Sequence, residues 1–148
     1  MQFKDYDYKR VDMTQLKEDF EIQLSAMADA KNMMAMDKAI KELYALRNHF
    51  ETMATVASVR FSIDMTDDFY SGENDFYDQA GPVVEGYVSR FYKALAASEL
   101  SREIESKYGS HLMNIAKVTV KTFADEILED LQEENKTVTE YSMLIGTA

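Results

Sequence analysis

Residues 33–68 read MMAMDKAIKELYALRNHFETMATVASVRFSIDMTDD, and this stretch decides the fold. Met36, Ile40, Leu43, Phe50, Met53, Ala57 and Phe61 recur at gaps of three, four or seven, the repeat of one face of an α-helix. Ala, Leu, Met, Lys and Glu fill the positions between them, and all are good helix formers. Neither glycine nor proline occurs before Gly72, and the chain holds one proline and five glycines in all. A β-rich domain of 148 residues would need many more turn residues. The spacing therefore predicts a long second helix running to about Asp68, with Ser71-Gly72 breaking or bending the chain.

Working outward, a first helix is expected near Asp12, an N-cap with Gln15 three residues on, carrying the stripe Leu16, Phe20, Leu24 and Met27. Asp29–Asn32 reads as a tight connection. A third helix spans roughly Glu73–Ala96, with a kink or restart at Gly81-Pro82, because proline lacks the amide donor and clashes one turn back. Ser98 is placed as the cap of a short helix that stops at Gly109. Ser110 then caps a helix carrying Leu112, Ile115, Val118 and Val120, and a last helix from about Asp125 carries Ile127, Leu128, Leu131, Val138, Tyr141 and Leu144. The expectation is one all-α domain over residues 1–148, an antiparallel bundle of five to seven helices. The apolar run Tyr141–Ile145 so close to the last residue reads equally as a docked terminal helix or as a cut inside a longer protein.

Composition narrows the function. Net charge is −11, with eight Lys/Arg against nine Asp/Glu in residues 1–50 and eight against eighteen in residues 51–148. Such a surface repels phosphate backbones, so nucleic acid and anionic membranes are not expected partners. Cysteine is absent, which excludes disulfides and thiolate zinc sites and suits a reducing compartment. No apolar run reaches the ~18 residues of a membrane helix, and Met1–Tyr6 has no signal-peptide core, so the location read from the sequence is cytoplasmic.

No catalytic or metal-binding pattern is found. His49 and His111 are not followed by the Glu-x-x-His that a helical zinc protease needs, and Leu46 and Tyr108 stand where a di-iron bundle would need Glu. Asp64, Asp67, Asp68, Glu73, Asp75 and Asp78 form an acidic run without Lys or Arg between Arg60 and Arg90, but Phe69 occupies positions where a calcium loop needs an oxygen ligand or glycine. A solvated acidic face is the ordinary reading. Seven rings lie within residues 69–92 (Phe69, Tyr70, Phe76, Tyr77, Tyr87, Phe91 and Tyr92), suited either to helix packing or to a peptide-binding wall. The candidate peptide-facing residues are Phe69, Tyr70, Phe76, Tyr77, Tyr87, Tyr92, Asp67 and Asp68.

Several segments also carry a family resemblance. Phe3–Arg10 resembles the opening of oligoendopeptidase F-like peptidases, relatives of thimet oligopeptidase. Glu42–Thr55 and Ile63–Tyr70 are similar to a long-helix region of those enzymes, and Phe91–Leu95 and Glu129–Lys136 continue the series in order. The resemblance implies the N-terminal domain of a zinc metallopeptidase, forming part of the wall of a channel that admits oligopeptides. It implies zinc in the parent enzyme, bound beyond this chain, and no cofactor or catalytic residue within it. The implied partners are the catalytic domain of the same polypeptide and an oligopeptide substrate, with self-association through an exposed docking face. The competing reading is a stand-alone helical module that binds a cationic peptide or helix through the acidic, aromatic third helix.

Overall fold

A computed structural model describes residues 6–122 and 128–146, of whose side chains Thr122 and Leu128 are left undescribed. Among the described residues six α-helices and no strands are found: α1 (Met13–Ala28), α2 (Met33–Ile63), α3 (Asp68–Ala97), α4 (Ser101–Tyr108), α5 (Ser110–Thr122) and α6 (Leu128–Gly146). The expected start of the last helix at Asp125 and its Ile127 lie outside the described residues.

The α1 cap is as expected: Asp12 accepts from the amides of Thr14 and Gln15. Asn32 caps α2 by accepting from the Ala35 amide at 3.0 Å. The end of α2 differs from expectation. The helix stops at Ile63, because Asp64 folds back to accept from the Thr66 amide at 3.0 Å and the Thr66 hydroxyl at 2.6 Å. Asp67 then caps α3 through the amides of Phe69 and Tyr70. Two aspartates with local hydrogen bonds thus set the turn, and Gly72 lies inside α3 rather than at a break. Ser98 likewise closes α3 as its C-cap instead of capping α4, and its hydroxyl holds the Leu100 amide at 3.1 Å. Gly109, at φ 88°, separates α4 from α5, a conformation that side chains with a Cβ avoid, and Ser110 is already helical.

α3 runs continuously through Pro82 and does not restart there. It packs against all five other helices, so its buried residues are not confined to one stripe. α2 and α3 are antiparallel neighbours: Arg60 meets Tyr70, Phe50 meets Tyr77 and Tyr44 meets Phe91. The core joins Phe20 and Leu24 of α1, Ile40 and Leu43 of α2, Val88 and Leu95 of α3, Ile104 of α4, and Met113 and Ala116 of α5. Burial of these side chains is the main favourable term in the fold.

Candidate functional site

Two polar assemblies stand out, both built on α3. The first is made where the segment before α1 crosses the start of α3. Arg60 on α2 donates to the Tyr6 carbonyl and to the Tyr70 hydroxyl, each at 2.6 Å. Tyr8 lies edge-on to Phe69 and Tyr70, and its hydroxyl donates to Glu73. Arg10 reaches the same carboxylate, its Nε 3.0 Å from both oxygens, and lies over the Phe76 ring at 4.7 Å. The Val11 amide donates to the Tyr77 hydroxyl at 3.3 Å. Glu73 is buried, only 3% exposed, and the Arg10 guanidinium holds its carboxyl below the usual range against the opposing pull of burial. Burial and the Glu73 carboxylate push the Tyr8 phenol strongly up, so it remains a donor.

The second assembly is the seam between α3 and α6. Pro82 removes the amide that would bond the Asp78 carbonyl in an unbroken helix. Asn135 Nδ2 donates to that carbonyl at 3.1 Å, and Gln132 Nε2 donates to the carbonyl of Gln79 at 2.8 Å. The Thr139 hydroxyl donates to Asp78 Oδ2 at 2.6 Å, and the buried Asn74 amide donates to Asp78 Oδ2 and Thr139 Oγ1, both at 3.2 Å. Burial raises the Asp78 carboxyl, the Thr139 hydrogen bond opposes it, and Asp75 adds to the rise. The pairs 132 with 79, 135 with 78 and 139 with 74 make α6 antiparallel to α3.

The eight candidate peptide-facing residues are divided by the fold. Asp67 caps α3, Asp68 is exposed beside it, and Phe69 is 57% exposed. Tyr70 and Phe76 are half-buried under Arg60 and Arg10. Tyr77 and Tyr92 are core rings, the first against Phe50 and the second with its hydroxyl 3.4 Å from Arg47. Tyr87 stacks on Phe20 at 5.1 Å, with Arg90 over its ring. The structure thus gathers Phe69 and Tyr70 around Tyr8, joins Phe76 and Tyr77 to the same assembly through Arg10 and the Val11 amide, and leaves Tyr87 and Tyr92 further along the helix. Glu73, Arg10 and Tyr8 were not legible as a group, since the contacts join residues more than sixty positions apart. Pro82 was the one readable signal of the seam, because a helix-interior proline always leaves an acceptor to be satisfied.

Among the described residues no group of three His, Cys, Asp or Glu side chains could hold a metal ion. His49 and His111 lie exposed on separate helices, α2 and α5. The donor set of a zinc centre is therefore not met by the described residues. A cleft of about 430 Å³ lined by Tyr6, Asn48, Glu51, Thr52 and Thr55 offers hydrogen-bonding groups along α2.

Fold and site together define an all-helical domain whose polar side chains organise the packing of α2, α3 and α6. The profile of the peptidase M3 N-terminal domain matches residues 3–123, and the chain belongs to that family. It is similar to the solved structure of an oligoendopeptidase F from Bacillus anthracis strain Ames, at 41% identity and a TM-score of 0.92, over 95% of this chain and 26% of that one. PZ peptidase A, solved with an inhibitor, and a second oligoendopeptidase F structure each match at 38% identity and a TM-score of 0.92, over 95% of this chain and 25% of theirs. The chain thus spans about a quarter of the length of these relatives. No curated protein matches it.

Proposed function

We propose that this chain serves as the non-catalytic N-terminal helical domain of a longer oligoendopeptidase F-like zinc metallopeptidase, working in the cytoplasm. Its role is one of shape: it forms part of the wall of a channel that admits oligopeptides and keeps folded proteins from the zinc centre. The observation that carries this reading is the match over 95% of the chain to structures of two named peptidases, at 38–41% identity. Zinc, the attacking water and the peptide bond belong to the remainder of such a polypeptide. Phe69, with Asp68 beside it, is the part of the predicted peptide-facing set open to solvent, and it is where this domain would meet substrate. That no helix among the described residues is long and apolar enough to cross a membrane is compatible with this setting.

The test combines gene and protein. The coding sequence beyond codon 148 is expected to lead in frame to a His-Glu-x-x-His helix. The purified 148-residue chain is expected to cleave no peptide and to carry no stoichiometric zinc by metal analysis. Tight one-to-one zinc binding by this chain would overturn the reading.

A further inference from the structure

α6 is turned the opposite way from an ordinary amphipathic helix. The face it lays on α3 works through Gln132, Asn135 and Thr139, all hydrogen-bonded across the seam. Four of its apolar side chains are open, Val138, Tyr141, Leu144 and Ile145 at 59%, 65%, 71% and 62% exposed, while Leu131 and Met143 are half-buried. Gaps of three and four place them in one stripe along the last two turns. A helix normally buries such a stripe, and here the polar seam opposite Pro82 has taken the buried side. An exposed stripe of this kind marks a surface that another element covers.

Charge says which element. α6 carries Glu129, Asp130, Glu133, Glu134 and Glu140 against Lys136 alone. Two copies of this helix would bring carboxylates together, and two copies of the chain would each bring a net charge of −11. A partner helix flanked by Lys and Arg would instead meet Glu134, one turn before Val138, and Glu140 beside Tyr141, with the remaining acids further along the same helix. We infer that Val138, Tyr141, Leu144 and Ile145 form the docking surface for a basic-flanked, apolar helical segment in the remainder of the longer polypeptide. This rests on the reading of the chain as an N-terminal domain and adds the surface by which that domain holds its neighbour.

The probe is a synthetic amphipathic helix of about 20 residues, long enough to span the stripe, with a leucine stripe flanked by lysine. Its counterpart carries glutamate flanks. Fluorescence anisotropy with the 148-residue chain is expected to show binding of the lysine peptide and none of the glutamate peptide. Tyr141→Ser with Leu144→Ser should weaken binding about tenfold or more, while Ile22→Ser on α1 leaves it unchanged. These positions are exposed, so the circular dichroism of each variant should match the parent. The intact longer polypeptide should not bind the peptide, its stripe being covered. Equal binding of both peptides, or binding insensitive to Tyr141 and Leu144, would overturn the surface. Equal binding to the intact polypeptide, or a dimer of the chain that the double substitution dissolves, would overturn the occupant. A failed zinc or gene test removes the parent enzyme without touching the peptide result, so the two failures are distinguishable.

Discussion

Asn135 on α6 donates its side-chain amide to the carbonyl of Asp78 at 3.1 Å, the acceptor that Pro82 deprives of its helical donor. The proline that would weaken an isolated helix is here the docking point of another. Asn135→Ala leaves that carbonyl without its partner and should cost about 1–2 kcal/mol. The loss should appear first as faster amide exchange across residues 128–146. Pro82→Ala restores the backbone donor, so the two substitutions should be non-additive. A double-mutant cycle is expected to give a coupling of about 0.5 kcal/mol or more, and additivity would show that Pro82 does not create the Asn135 site.

Stability should fall in acid. Glu73 is held below its ordinary value by Arg10, and Asp37 well below by Lys107, then Lys41 and Tyr108. Both bind protons less readily folded than unfolded. Their contributions are present above the unfolded values of 4.5 and 3.8 and are lost as pH falls through the lower folded ones. Asp78 has the opposite sign, since burial raises it and its protonation favours the fold. The melting temperature of the parent should drop from about pH 5 to pH 3, and Glu73→Gln should flatten that drop. At neutral pH the same variant is expected to cost about 1 kcal/mol, because the buried Glu73 loses its charge while its partner Arg10 is half exposed and screened by solvent.

Ser89 is 1% exposed in the middle of α3, and its hydroxyl has no hydrogen-bond partner among the described residues. A buried, unsatisfied hydroxyl costs free energy that an alanine methyl would not. Ser89→Ala should stabilise the chain by about 1 kcal/mol and raise the melting temperature by about 2–4 °C in thermal denaturation. A fall in melting temperature would show that a bound water satisfies the hydroxyl.

Gly109 holds φ at 88° between α4 and α5, and a Cβ added there would meet nothing within 4 Å. Any penalty is therefore one of backbone conformation and not of crowding. Gly109→Ala should cost about 1–3 kcal/mol in urea unfolding with little change in the m-value.

The sequence by itself determined the class of fold, the stripes of α1 and α2 and the caps at Asp12 and Gly109. Each depends on local rules: a 3.6-residue repeat, a side chain that reaches its own backbone, a backbone angle open to glycine. It also carried the family resemblance, since that lies in residue order. Its errors fell where local rules compete. Asp64 and Asp67 ended α2 ahead of Gly72 because paired hydrogen bonds outweigh the mere freedom of a glycine. Only the tertiary structure decided which rings of α3 are core and which are open. A helix packed against five others has no single buried face to read from periodicity. Only the tertiary structure joined Tyr8 and Arg10 to Glu73, and turned α6 so that its polar face is held and its apolar face is open. Those choices depend on distant partners, one of them an acceptor released by Pro82, and no local pattern contains them.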